Sequence, residues 1–227
     1  MIIKNRKCFK LKCFDVQYMN INEIFYSIQG EGKWVGLPNI FIRVAGCNLR
    51  CSYCDTKYAY DDGKEMSIGK IVKHIINYPC KYVCITGGEP LIQHETLDLI
   101  NAVLKRNYKI SLETNGSIDI KNIANKKSLM ISLDVKCPSS NMHEKMHLEN
   151  ISLLMKDDQL KLIIQNKEDY NYAKKIIQKC DPVCHVFFQP VWATNPKNLA
   201  GWILRDGLNV RLGLQIHKMV WGDAKGV

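Results

Sequence analysis

The sequence predicts an α/β fold, a partial (open) βα barrel with about six parallel core strands and helices outside. Three observations point there. Short β-branched and apolar runs alternate with amphipathic stretches from Asn39 onward. The 227 residues fall short of the roughly 250 that a closed eight-unit barrel usually occupies. No stretch rich in Gly, Ser or Pro divides the chain, so one unit is expected over 20–227. A basic extension is expected at 1–19, with Lys4, Arg6, Lys7, Lys10 and Lys12.

Along the chain, FIRV at 41–44, YVCIT at 82–86 and KISLE at 109–113 read as buried strands, because a strand covered on both faces is apolar almost throughout. LMISLD at 129–134, LKLII at 160–164, HVFFQ at 185–189 and NVRLGLQ at 209–215 continue the series. Between strands, Ser67 is a helix N-cap, and Ile68, Ile71, Val72, Ile75 and Ile76 fall on one helical face behind it. Leu97, Ile100, Val103 and Leu104 form a second stripe, Tyr172, Ala173, Ile176 and Ile177 a third, and Leu199, Trp202 and Ile203 a fourth. Such alternation implies parallel strands joined by right-handed crossovers, with the active site at the strands' carboxyl ends.

A 46% hydrophobic, 24% charged composition supports a substantial core. No apolar run approaches the roughly 20 residues needed to cross a bilayer, and no secretory leader pattern opens the chain, so a cytoplasmic protein without membrane contact is expected. The net charge of +10 is spread over helix faces and the amino-terminal stretch. Direct nucleic-acid binding is therefore not expected, whereas a basic surface suits an acidic electron donor.

Ten cysteines in a cytosolic chain point to metal ligation or plain burial before disulfides. In AGCNLRCSYCDT, directly after the 41–44 run, Cys47, Cys51 and Cys54 form a CxxxCxxC pattern. Thiolates are the ligands iron–sulfur clusters need, and three of them leave one iron of a four-iron cube open to a cofactor or substrate. Zinc is the competing reading, but it takes four ligands, typically from two paired motifs, and no well-spaced second pair follows. Cys84 lies within a strand, Cys80, Cys137, Cys180 and Cys184 near element ends, and Cys8 and Cys13 in the extension, all read as ordinary thiols.

The CxxxCxxC pattern, with aromatic Tyr53 before its last cysteine, and TGGEP at 86–90 resemble the radical S-adenosylmethionine (SAM) superfamily. The resemblance implies one [4Fe-4S] cluster on Cys47, Cys51 and Cys54, and SAM chelated at the open iron and cleaved reductively to a 5′-deoxyadenosyl radical. Gly87 and Gly88 would let the backbone approach the methionine amino group; an ordinary βα turn is the alternative.

Three further segments are similar to the family of 7-carboxy-7-deazaguanine synthases: EIFYSIQGEGKWVGLPNIFIRVAGCNLRCSYCDT at 23–56, SLDVKCPSS at 132–140 and LGLQIHKMVWG at 212–222. That resemblance implies a pterin substrate, 6-carboxy-5,6,7,8-tetrahydropterin, whose ring contracts with loss of ammonia. It also implies a homodimer and a flavodoxin- or ferredoxin-like electron donor. SAM contacts are expected at Tyr53, Asp55, Gly87, Gly88, Glu89, Glu113, Asn115, Asp134, Lys136 and Gln189. Substrate contacts are expected at Ile28, Gln29, Gly30, Glu31, Arg43, Thr86 and His217, and a Mg2+ ligand at Thr56. The residues alone leave alternatives open: Gln29 as a turn former, Thr56 as a strand or cap residue, Asp134 and Lys136 as a local ion pair. The segment WGDAKGV and the basic extension depart from the family pattern. The competing functions are a glycyl-radical activase of the same superfamily, a non-catalytic iron–sulfur carrier and a basic nucleic-acid-binding module.

Overall fold

The computed structural model describes residues 17–192 and 194–227. The basic residues and cysteines of the expected extension lie outside that range. Its boundary at 19 is too late, because Tyr18 and Met19 open the first strand and Met19 is buried at 1% exposure.

Nine strands form one sheet: β1 (Tyr18–Ile28), β2 (Pro38–Val44), β3 (Lys64–Ser67), β4 (Tyr82–Gly87), β5 (Lys109–Thr114), β6 (Leu129–Lys136), β7 (Gln159–Ile164), β8 (His185–Pro190) and β9 (Arg211–Leu212). Their order is β3-β1-β2-β4-β5-β6-β7-β8-β9. From β2 through β9 the neighbours are parallel, whereas β1 runs antiparallel to both β2 and β3. The sheet is not closed, as expected of a partial barrel.

Helices α1 (Ile68–Ile75), α2 (Thr96–Leu104), α3 (Lys167–Cys180) and α4 (Pro196–Arg205) match the four apolar stripes, and a short α5 (Ile216–Trp221) follows. Ser67 caps α1 as expected, its side chain accepting from Lys70 N, and Ile71, Val72 and Ile75 turn inward. In α3 the large buried ring is Tyr170 rather than Tyr172. The Tyr170 hydroxyl finds partners in Trp202 O at 2.8 Å and Asp206 Oδ2 at 2.9 Å, which satisfies a phenol that burial would otherwise penalise. Among the described residues no helix is long and apolar enough to cross a membrane.

Two departures bear on the site. The run at 209–215 pairs only over Arg211–Leu212, because after Gly213 N donates to Phe188 O the chain leaves the sheet edge toward α5. The chain between β6 and β7 forms short 3-10 turns at Pro138–Ser140, His143–Lys145 and Leu148–Leu153 instead of an α-helix.

Period-two alternation divides the central strands into two chemically distinct faces. Ile42, Ile85, Leu112, Leu133, Leu162 and Phe188 point to the helix-covered side and belong to one buried core. At about 1.5–3 kcal/mol for each large apolar side chain removed from water, this layer supplies the bulk of the stabilisation. The opposite face carries polar groups near the carboxyl ends: Arg43 on β2, Thr86 on β4, Glu113 on β5, Asp134 and Lys136 on β6, Lys161 on β7 and Gln189 on β8.

Candidate active site

That polar face is the floor of a cavity of about 870 Å³. Every expected cluster, SAM, Mg2+ and substrate residue lines it except Glu89. The cluster loop leaves β2 through Ala45 and Gly46, and Gly46 N donates to Ala59 O at 2.8 Å, so the loop closes upon itself. The end of β4 is laced to it: Gly88 N donates to Val44 O at 3.2 Å and Glu89 N to Gly46 O at 2.8 Å. Gly87 adopts a φ of +143°, and a Cβ there would collide with Val44 O, while one on Gly88 would collide with Gly46 O. The two glycines are thus required by the protein's own backbone as well as lining the cavity.

The three loop cysteines are half-buried free thiols. Burial pushes the Cys47 and Cys51 thiols up, so in the unligated protein they favour the protonated form and must release protons to bind metal. Cys47 Sγ accepts from Leu49 N at 3.4 Å and lies 3.9 Å from Asn115 Nδ2, which ties the loop to the end of β5. Among the described residues no three His, Cys, Asp or Glu side chains are grouped so as to hold a single metal ion.

Glu89 stands apart from the other expected SAM contacts. It is 0% exposed and sits behind the cavity wall. Its carboxylate accepts from Leu91 N at 3.0 Å, Thr114 Oγ1 at 2.8 Å and Asn115 N at 2.6 Å. Burial raises its pKa to about 7 in spite of these donors. Glu89 therefore braces the end of β5, and Asn115 rather than Glu89 faces the ligand space.

Sequence reasoning missed the most connected residue, Lys161. Its ammonium lies 2.8 Å from Glu113 Oε2, 3.0 Å from Glu31 Oε2 and 3.2 Å from Asp134 Oδ1, at 4% exposure. A lysine within the apolar run LKLII gave no signal beyond its own charge; only its register beside Asp134 reveals the role. Burial disfavours the ammonium, but the three carboxylates outweigh it and hold Lys161 charged. Burial also opposes ionisation of Glu31, yet Lys161 and a bond from Gln215 Nε2 at 2.7 Å bring it down to about 2. One lysine cannot neutralise three acids, and Glu113 is pushed up by burial and by Asp134 and Glu31 in spite of Lys161. Asp134 also receives Lys136 at 2.7 Å, the anticipated local pair, and is lowered despite its burial.

A third wall joins segments far apart in sequence. Ile216 N donates to Gly30 O at 3.0 Å, beside the Gln215–Glu31 bond. A Cβ on Gly30 would strike the His217 ring, so glycine there admits the imidazole. Burial pushes His217 down, only partly offset by Glu31 and Asp55, and keeps it neutral near pH 7. Gln29 is buried at the base of this wall, and its side-chain oxygen accepts from Glu31 N at 3.3 Å within the anticipated turn. Arg43 is held by Glu23, its Nε 2.7 Å from Oε1, while Tyr58 OH donates to the same oxygen at 3.2 Å. Thr56 Oγ1 donates to Asp55 Oδ1 at 3.0 Å, and Asp55 in turn lies 3.4 Å from Lys218 Nζ.

Two buried polar atoms facing this region lack protein partners, the Tyr53 hydroxyl and Gln189 Oε1. Unpaired, each costs about 1–3 kcal/mol, a debt that a polar ligand in the cavity would relieve. Thiols on a loop, orphaned acceptors and a mixed-charge floor fit a cluster-bound amino-acid nucleoside beside a polar heterocycle.

Comparison with known proteins agrees with this geometry. The model of the radical SAM superfamily matches residues 41–177, more than half of the chain. A 7-carboxy-7-deazaguanine synthase from Thermoplasma acidophilum is 38% identical over 209 residues, covering 92% of this chain and 100% of that protein. One from Chlorobaculum tepidum is 38% identical over 216 residues, covering 92% and 97% respectively. The crystal structure of QueE from Escherichia coli shares the fold with a TM-score of 0.74 at 23% identity, over 87% of this chain and 94% of that one. The cluster-loop cysteines, the polar strand ends and relatives matched over nearly their whole length agree, and the chain belongs to the 7-carboxy-7-deazaguanine synthase family of radical SAM enzymes.

Proposed function

We propose that the cavity converts 6-carboxy-5,6,7,8-tetrahydropterin to 7-carboxy-7-deazaguanine, with contraction of the ring and loss of ammonia. The observation that carries this reading is the meeting, in one cavity, of the cysteine loop with the Gln29–Glu31 turn and His217. A [4Fe-4S] cluster with SAM bound would supply, on reduction, the radical that initiates the rearrangement.

The chain's own residues then have separable tasks. Cys47, Cys51 and Cys54 hold three irons once deprotonated. Gly87, Gly88 and Asn115 present backbone and amide groups to the methionine end of SAM, while Tyr53, Asp134, Lys136 and Gln189 flank the remainder. Glu31, kept ionised, accepts N–H donors from the pterin edge, and Gln29 can both donate and accept there. Neutral His217 closes the ring's far side. Arg43 faces the substrate carboxylate, with the Thr56 hydroxyl available to Mg2+, an ion that typically takes only one or two protein oxygens. Glu113, Thr86 and Ile28 complete the wall between the two ligands. In this reading the protein works in the cytoplasm as a homodimer and accepts electrons from a flavodoxin- or ferredoxin-like donor.

The test is anaerobic reconstitution with iron and sulfide, followed by incubation with reductant, SAM, Mg2+ and the carboxytetrahydropterin. Mass spectrometry is expected to show the deazapurine acid; because the conversion loses only ammonia, the abstracted hydrogen is returned, and 5′-deoxyadenosine should not form in step with product. SAM cleavage without the deazapurine acid would reject the substrate assignment and leave superfamily membership standing.

A further inference from the structure

The terminal segment WGDAKGV, which departs from the family pattern, follows a course that gives it a use. α5 ends at Gly222, whose φ of +62° reverses the chain, and Ala224 N donates to Trp221 O at 3.3 Å. The last residues then run back along the cavity, and Lys225, Gly226 and Val227 become part of its wall. Lys225 Nζ stands 4.2 Å from the centre of the Tyr58 ring. A Cβ on Gly226 would lie 3.6 Å from Glu23 Oε2. Glu23 holds Arg43 and Tyr58 donates to the same Glu23 oxygen, so the tail delivers a lysine to the place where the arginine is fixed.

The other cations at that place are already paired with carboxylates. Arg43 is paired with Glu23, which offsets its charge. Lys218, the other tail-side cation, is taken by Asp55 and Asp223, each at 3.4 Å. Among the described residues no carboxylate lies within ion-pair distance of Lys225. An anion arriving beside Arg43 would therefore meet one ammonium not engaged in any of these ion pairs, carried by a flexible stem against an aromatic face.

We propose that Lys225 is a substrate-binding residue that, together with Arg43, recognises the carboxylate of the pterin. This rests on the proposed function, and the test separates the two. The reconstituted holoenzyme with SAM is titrated with 6-carboxypterin and with pterin lacking the carboxylate. Wild type should prefer the carboxylated ligand. In Lys225→Met the affinity for 6-carboxypterin should fall about tenfold, while that for pterin moves by less than about twofold. Lys225→Arg, which keeps the charge, should stay within about threefold of wild type for both ligands. Equal weakening of both ligands in Lys225→Met would mean that the tail only packs, and unchanged affinity for the carboxylated one would mean no contact; either overturns the assignment. If wild type neither favours the carboxylated pterin nor forms the deazapurine acid, the proposed function fails first and this inference with it. Product formation by wild type with unaltered discrimination in Lys225→Met removes Lys225 alone.

Discussion

At the scale of single residues, the site divides into groups that hold ligands and groups that hold other groups. Replacing Cys47, Cys51 or Cys54 singly by Ala should abolish the cluster's absorbance near the visible range and reductive SAM cleavage. These thiols are half-buried, so thermal stability of the metal-free protein should move by less than about 1 kcal/mol. Lys161 is the opposite case. Lys161→Met leaves Glu31 and Glu113 in the interior without a cation, Asp134 keeping Lys136, and should cost about 3–5 kcal/mol in urea unfolding. Adding Glu113→Gln removes one of those uncompensated charges and should recover part of the loss, a non-additivity that a double-mutant cycle reads directly. A fully additive pair would show that Lys161 does not serve Glu113. Glu89 sets a pH dependence. Its carboxyl holds a proton more tightly folded than unfolded, with a pKa raised from 4.5 to about 7. Its contribution is therefore fully present below the unfolded value of 4.5 and is lost as pH rises through about 7, a change on the order of 3 kcal/mol. Unfolding of the metal-free protein at pH 5.5 and pH 8 should expose this slope, and Glu89→Gln should flatten it.

Among the elements, the strands carry two messages in one run of residues. LMISLD, LKLII and HVFFQ read as buried strands because most of their residues are apolar, and all three form. What that reading hides is the alternation beneath it, which sets Asp134, Lys161 and Gln189 on the cavity side of adjacent strands. Register is a property of the pairing, so Lys161 could not be singled out from a linear chain in which Glu31, Glu113 and Asp134 lie far away. β1 escaped notice for a different reason. More than half of its residues are half-buried, without the near-continuous apolar run of the central strands, and β3 covers only its first four residues, Tyr18–Ile21. The turn at Gly30 and helix α5 form one functional element in two pieces. Gly30→Ala places a methyl group against the His217 ring. It should raise KM for the pterin by about tenfold or more while changing the affinity for SAM far less, since the nearest atoms that the methyl meets all belong to His217. Parallel loss of SAM affinity would argue that α5 supports the whole cavity instead.

For the molecule as a whole, the cysteine spacing and the strand–helix rhythm were sufficient to place the site at the carboxyl ends of an open parallel sheet. All expected ligand-facing residues but Glu89 line the same cavity. Glu89 stands apart because a motif shows which residues travel together and not which of them faces outward; its burial accompanies β5 lying alongside β4. The tail eluded the sequence as well, since its path depends on the φ of Gly222 and on where Tyr58 happens to lie. The excess of positive charge adds one expectation at this scale. If an acidic donor docks on the basic surface, electron transfer should slow steeply between low and physiological ionic strength, which stopped-flow reduction of the cluster would record.

The bond between Gln215 and Glu31 spans 184 positions. The cavity wall built on Gly30 and Glu31 is thus completed by residues made long after the cysteine loop. Until then the nascent polypeptide can display its three thiols but has no chamber to seal around them. A chain cut short before Gln215 is accordingly expected to leave any metal on those thiols open to oxygen from that side.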